Sequence, residues 1–221
     1  MDKNVTGFIL SYVLVFVVIA VATLLIRLKL ISGDTARKLV HIGVSNWWIL
    51  AMCFFDNPWY PCAGALSFII INYISYRKHL FTAMEAAQHR DNLGTVYFPV
   101  SLLVLSYACF SGIMPLHAGA AGVLIMGYGD GFAALAGTHL GRHEYRIFGN
   151  IKSIEGSAVM FAVSFLVVYI IMSLYHPESR LAASAAIAAL AAAVEGFTPY
   201  GLDNITVPII SSFCYFYVFI Q

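Results

Sequence analysis

Long apolar runs separated by short polar stretches follow one another along almost the whole chain. A helix that crosses the ~30 Å hydrocarbon core of a bilayer needs about 20 apolar residues. On this basis the pattern predicts about eight membrane-spanning helices, at residues 7–26, 39–55, 59–76, 93–110, 118–136, 157–175, 181–194 and 205–220. The seventh run is short and rich in alanine, so the alternative count is seven.

The composition agrees with this pattern. Apolar residues make up 61% of the chain and charged residues 10%, and the mean hydropathy is +0.83. A soluble domain is typically about 45–50% apolar and about 25% charged. We therefore expect an all-α, polytopic integral membrane helical bundle that forms a single domain over residues 1–221, and the composition argues against a soluble enzyme.

The charged residues give the expected orientation. Twelve Lys and Arg residues face eleven Asp and Glu residues, so there is no basic excess for binding nucleic acid. Lys and Arg concentrate in cytoplasmic loops of membrane proteins. Ten of the twelve lie in the first, third and fifth predicted loops, at Arg27, Lys29, Arg37, Lys38, Arg77, Lys78, Arg90, Arg142, Arg146 and Lys152. The odd-numbered loops are therefore predicted to be cytoplasmic, with both termini outside.

An acidic residue interrupts the fifth predicted span. Asp130 lies in the segment GYGDG at residues 127–131. An ionised carboxylate near the bilayer centre costs at least ~2.5–3.5 kcal/mol, so such residues usually face the bundle interior and serve a function. Gly129 and Gly131 beside it permit close approach of a ligand, or tight helix packing as the alternative.

A second polar cluster precedes the sixth predicted span, in the segment GNIKSIEGS at residues 149–157. The free N–H groups and the dipole of a helix N-terminus attract anions. Lys152 adds a positive charge, Ser153 a hydroxyl and Glu155 a carboxylate that could hold a divalent cation. The pattern differs from a P-loop, and an ordinary helix cap explains Ser153 and Glu155 about as well.

Two further clusters fall at the same predicted membrane face. Arg37, Lys38 and His41 lie at the cytoplasmic end of the second span, where membrane anchoring is the alternative explanation for the two cations. The seventh loop holds Glu195 and Asp203 and no basic residue. Magnesium is commonly held by a few carboxylates together with substrate phosphates. A polar turn with Asp203 as a helix cap is the alternative interpretation.

The four clusters together supply the groups that phosphoryl transfer requires. These are carboxylates for a metal ion, cations for the phosphate charge, and a carboxylate to take up the acceptor's proton. They are predicted to converge at the cytoplasmic face, where a membrane-anchored alcohol would meet a cytosolic nucleotide.

At these residues the sequence resembles the CTP-dependent lipid-alcohol kinases, the family of phytol kinase, dolichol and polyprenol kinase, and CTP-dependent diacylglycerol kinase. The matching pieces are RKLVH at 37–41, GDGFA at 129–133, KSIEGS at 152–157, and Glu195 followed by DNITVP at 203–208. All four pieces occur in the order expected for the family, between about residues 30 and 210. Their combination makes the match fairly specific.

The resemblance implies a transmembrane catalytic domain that transfers the γ-phosphoryl group of CTP to the hydroxyl of a membrane lipid alcohol, with Mg²⁺ as cofactor. The catalytic residues it implies are Asp130, Lys152, Glu155 and Asp203. The implied nucleotide-binding residues are Gly129, Gly131, Lys152, Ser153, Gly156, Ser157 and Asn204, with Arg37, Lys38 and His41 beside them. The implied metal ligands are Asp130, Asp203, Glu155 and Glu195, with Glu155 or Glu195 as the alternative for the base.

Two other classes remain open at the level of the sequence. A cytidylyltransferase of the CDP-diacylglycerol synthase type would also use CTP at the membrane, but it would release pyrophosphate. A transporter with Asp130 as an ion site would need polar residues through the full depth of several helices, whereas here they gather at one end. The sequence does not distinguish among the lipid alcohols and does not indicate an oligomeric state.

Overall fold

The computed structural model describes residues 2–78, 93–148, 150–178 and 180–219. Within them the chain is all-α apart from one short hairpin, which confirms the all-α part of the predicted fold class. The helices are α1 (Lys3–Arg27), α2 (Gly33–Ser45), α3 (Trp47–Phe54), α4 (Trp59–Lys78), α5 (Gly94–Phe110), α6 (Leu116–Leu124), α7 (Gly131–Leu140), α8 (Ile154–Tyr175), α9 (Arg180–Phe197) and α10 (Asp203–Phe219). A π-helical segment, Ile125–Asp130, joins α6 to α7, and the antiparallel strands β1 (Glu144–Ile147) and β2 (Asn150–Ser153) precede α8.

Four helical stretches in the described residues are long and apolar enough to cross a membrane. They are α1, the continuous stretch Leu116–Leu140, α8 and α9, while α5 is apolar but shorter. The seventh predicted span therefore corresponds to a full helix, α9, of 18 residues. The count of eight spans stays a prediction, and most of the third loop, including Arg90, lies outside the described residues.

The second predicted span is two helices rather than one. It breaks at Asn46, between α2 and α3. The side-chain amide of Asn46 donates to the carbonyl of Ile42 at 2.9 Å, and the hydroxyl of Tyr128 donates to Asn46 Oδ1 at 2.9 Å. Asparagine competes in this way with the helical hydrogen bonds of its own backbone.

The interior is built from large side chains packed against helices with small residues. Trp48, Met126 and Met160 are completely buried. Gly122 of α6 lies directly against the backbone carbonyl of Pro208 in α10, where a Cβ atom would not fit. Close backbone approach of this kind is typical of helix packing inside a bilayer, and it holds the segment that ends at Asp130 firmly between its neighbours.

Candidate active site

The first component of the site comes from α2. Ser32 caps this helix by accepting a hydrogen bond from the backbone N–H of Thr35 at 3.3 Å. One turn further on, Lys38 Nζ donates to Asp130 Oδ2 at 2.6 Å. The two side chains are only 19% and 8% exposed. A buried pair of this kind needs both partners, because either charge alone would be poorly solvated.

Asp130 is positioned by the π-helical segment. It is the last residue of this segment, and the wide turn places it at the junction with α7. Gly127 abuts Ser45 and Gly131 abuts Ile42, both on α2, with no space for a Cβ atom. On the other side, a Cβ at Gly129 would come within 2.8 Å of Met160 Sδ. The glycines therefore clamp the segment between α2 and α8, which is the packing role that the sequence left as the alternative.

The hairpin supplies the second cation. Lys152 lies on β2 opposite Tyr145 of β1. Its Nζ donates to Glu195 Oε1 at 2.5 Å and also to the backbone carbonyl of Glu195. Burial disfavours the charged form of Lys152, but the carboxylates of Glu195 and Asp203 outweigh it, so the pKa of Lys152 is raised above its usual value. The lysine is therefore charged at neutral pH.

The acidic seventh loop supplies the remaining carboxylates. Glu195 lies near the end of α9, and Asp203 is the first residue of α10. Tyr200 and Gly201 between them have positive φ angles of 58° and 77°, which turn the chain sharply. Asn204 then donates from both its backbone N–H and its side-chain amide to Asp203 Oδ1, each at 3.0 Å. This double contact fixes the Asp203 carboxylate.

The three carboxylates converge on one point. Asp130, Glu195 and Asp203 each offer an oxygen, and these atoms lie within 4.8 Å of one another. Lys38 and Lys152 neutralise two of the three charges, so one negative charge is left. Carboxylate oxygens that converge in this way are the donor set that a hard divalent cation prefers. The residues present therefore fit a magnesium ion.

The carboxylates form one wall of an open polar cleft of about 420 Å³. Small residues of α7 and the start of α8 also line this cleft, including Gly137, Ser153 and Gly156. Ser153 caps α8 by accepting from the N–H of Gly156 at 3.1 Å. The cleft thus combines Lys152, a helix N-terminus and the carboxylates, which is the combination that binds a phosphate chain with its metal ion.

The structure brings most of the expected site residues together, but not Glu155. Arg37, Lys38, Asp130, Lys152, Ser153, Gly156, Ser157, Glu195 and Asp203 line the cleft, and Asn204 and His41 line an adjoining pocket. The Glu155 carboxylate instead accepts hydrogen bonds from His143, through the ring Nδ1 at 2.7 Å and the backbone N–H at 3.3 Å. Glu155 therefore does not belong to the group of three converging carboxylates.

The sequence analysis did not predict the hairpin, and it did not identify all of the residues that line the cleft. Glu144 of β1 and Thr138 of α7 line the cleft, and the hydroxyls of Tyr145 and Ser157 lie 2.7 Å apart. The dipeptide Gly149-Asn150, close to the apolar residues Ile147 and Ile151, is a recognisable turn signal in the sequence. The hairpin matters because it carries Lys152 to Glu195.

Comparison with known proteins gives one informative match. The chain is 34% identical over 194 residues to the phytol kinase of Synechocystis sp., which covers 87% of this chain and 82% of that protein. No family model matches the sequence, and no solved structure matches it. Identity at this level over this length establishes common ancestry. The chain belongs to the lipid-alcohol kinase family, and it is a kinase with an alcohol acceptor.

Proposed function

We propose that this protein transfers the γ-phosphoryl group of CTP to the hydroxyl of a membrane lipid alcohol of the phytol type, at the cytoplasmic face of the membrane. The observation that carries the proposal is the convergence of Asp130, Glu195 and Asp203 within 4.8 Å, beside two half-buried lysines. Similarity to a phytol kinase supports the acceptor class. The choice of CTP rests on the family resemblance of the motifs.

The phosphate chain would lie along the cleft from Lys152 to the start of α8. Lys152 is held at the cleft wall by Glu195 and is charged, so it is placed to neutralise the β- and γ-phosphates. The N-terminus of α8 at Ser153 and Gly156 adds backbone N–H groups and a positive dipole end. These groups are fixed before the substrate arrives, which is the arrangement that stabilises developing charge most effectively.

The three carboxylates would hold magnesium, which supplies charge neutralisation across the phosphates when it is bound. The residues of the chain do the rest. Lys38 holds Asp130 in position, and Asn204 holds Asp203. In the reaction the acceptor oxygen forms a bond to the γ-phosphorus, the bond to the β-phosphate oxygen breaks, CDP leaves, and a carboxylate of this group takes the hydroxyl proton.

An assay with labelled nucleotide tests this function. Purified protein in lipid nanodiscs would be incubated with magnesium, phytol and CTP labelled at either the γ- or the α-phosphate. We expect label in the lipid only from the γ-position, and none with Asp130→Asn. The matched control is Glu178→Gln, an exposed acid outside the cleft, which should retain activity. Label from the α-position together with released pyrophosphate would instead identify a cytidylyltransferase.

We also propose that the chain crosses the membrane about eight times, with the site cytoplasmic and both termini outside. The support is the distribution of Lys and Arg among the loops. Cysteines introduced at the exposed Phe148 and Tyr200, in a background where Cys53 is replaced by serine, should react with an impermeant maleimide from the same side. A cysteine at Asn57 should react from the opposite side. Labelling of the cysteines at positions 148 and 200 from opposite sides of the membrane would refute the arrangement.

A further inference from the structure

A second cavity, of different character, lies beside the polar cleft. It is enclosed by α1, α2, α4 and α5, it measures about 90 Å³, and its lining is almost entirely apolar. Its apolar lining includes Val15, Val40, Ala65, Phe68, Phe98 and Leu102. Ser11, a polar residue in this wall, is already engaged, because it donates to the carbonyl of Gly7 and accepts from Trp47 Nε1.

The apolar cavity meets the polar pocket that adjoins the cleft at three residues. Arg37, His41 and Thr95 line both this cavity and the small polar pocket that contains Asp130 and Asp203. A ligand that lies in the cavity therefore has one end next to the carboxylates. This continuity is what a phosphoryl acceptor with an apolar tail requires, since its hydroxyl must reach the γ-phosphate while its chain avoids water.

Two polar atoms at this junction have no partner. Arg37 Nε and His41 Nε2 are buried and make no hydrogen bond within the described part of the chain. The His41 ring packs on Phe98 with ring centroids 4.4 Å apart, so the imidazole is held against the cavity wall. Buried polar atoms are nearly always paired, and an unpaired one is costly. Their presence at the cavity mouth indicates a polar group of a ligand.

We propose that this cavity binds the hydroxyl-bearing end of the acceptor, a primary alcohol on a single hydrocarbon chain, and that His41 Nε2 hydrogen-bonds to its hydroxyl. The inference rests on the proposed function and adds the acceptor site to it. An engineered apolar cavity of about 150 Å³ binds one benzene molecule, so a cavity of about 90 Å³ receives only the first few carbons. The enzyme therefore distinguishes alcohols by the structure next to the hydroxyl and tolerates different chain lengths beyond it.

Two substitutions on α4 test the site. Ala65 is 3% exposed and lines the cavity, whereas Ala63 is exposed on the opposite face of the same helix. Ala65→Leu should raise the KM for phytol about tenfold, because it fills the space of the chain, with the KM for CTP unchanged. Ala63→Leu should match the wild type in both. Equal acceptor KM values for the two variants would overturn the proposal.

His41→Leu separates an acceptor role from a nucleotide role. It should raise the KM for the alcohol without changing the KM for CTP, and His41→Gln should restore much of the loss by supplying a hydrogen bond. A rise in the KM for CTP instead would place His41 in the nucleotide site and contradict the inference.

A photoreactive phytol analogue, with a diazirine close to the hydroxyl, provides a readout that requires neither turnover nor a correctly folded variant. Labelling of α2, α4 or α5 beside the cavity, with competition by unlabelled phytol, supports the acceptor site. Labelling confined to other surfaces refutes it. If the wild type phosphorylates phytol while the label lies elsewhere, only this inference fails. If label lies in the cavity but no alcohol is phosphorylated, the proposed function fails.

Discussion

Replacing Asp203 by asparagine should make the metal-free protein more stable and the enzyme less active. Within the described residues Asp203 has no ion-pair partner, whereas Asp130 and Glu195 each contact a lysine. Two unit charges 4.8 Å apart interact by roughly 3.5 kcal/mol at an effective dielectric constant of about 20. Asp203 faces two such neighbours, so its charge meets roughly 7 kcal/mol of repulsion before any attraction is counted.

Attraction to Lys38 and Lys152 offsets most of this repulsion, and loss of a negative charge at the start of α10 costs a further ~0.3–1 kcal/mol. We therefore expect a net gain of about 1–2 kcal/mol in the free energy of unfolding. For a chain of this size that is an increase of about 2–8 °C in Tm. The asparagine keeps an oxygen that can accept from Asn204, so the local turn is preserved.

The assay is thermal unfolding in detergent, with and without magnesium. A cation at one hundred times its Kd adds about 2.7 kcal/mol to the stability of the protein that binds it. Magnesium should therefore raise the Tm of the wild type clearly and that of Asp203→Asn much less, with Glu178→Gln behaving as the wild type. A variant that melts at or below the wild-type temperature and keeps the full magnesium shift would refute the reasoning.

Three further substitutions probe the site. Lys152→Met should lower kcat/KM by about 10²–10³-fold, because a fixed cation facing the phosphates is lost, and unchanged turnover with γ-labelled CTP would remove Lys152 from the site. Lys38→Met should lower the free energy of unfolding by about 3–5 kcal/mol, since Asp130 is left as an unpaired buried charge. The double variant that also carries Asp130→Asn should recover most of the lost Tm. If it does not, loss of the Lys38–Asp130 pair is not the cause of the destabilisation. Glu155→Gln should leave turnover within about threefold of the wild type, because its contact with the exposed His143 is worth little, whereas a hundredfold loss would place Glu155 among the catalytic groups.

The sequence predicts the helical class well because long apolar runs have few other structures available. It also identifies Asp130, Lys152, Glu195 and Asp203, since charged groups are conspicuous in so apolar a chain. It does not reveal which of the carboxylates converge. Glu155 and Lys152 are three residues apart, yet a change from strand to helix between them sends Lys152 to Glu195, 43 residues away, and leaves Glu155 with His143.

The break at Asn46 was equally hidden, for a related reason. A single asparagine within an apolar run is compatible with one uninterrupted membrane-spanning helix, so the pattern does not predict a break. The structure shows that it interrupts the helix because Tyr128, 82 residues away, completes its hydrogen bonding. Contacts between distant segments decide where such a helix is interrupted. Local periodicity and helix propensity carry no information about those contacts.

The π-helical segment that ends at Asp130 rotates the two halves of the long Leu116–Leu140 helix relative to each other about the helix axis. A π turn accommodates one residue more than an α turn, and each residue of an α-helix advances by about 100°. The half before the turn can thus keep its alanines and glycines against α10, while the half after it is rotated to aim a carboxylate at Lys38. Deleting a single residue from the segment would bring both halves into phase and swing that carboxylate about a quarter of a revolution from its partner. The number of residues in this one turn therefore decides whether Asp130 can reach Lys38 and the two other carboxylates.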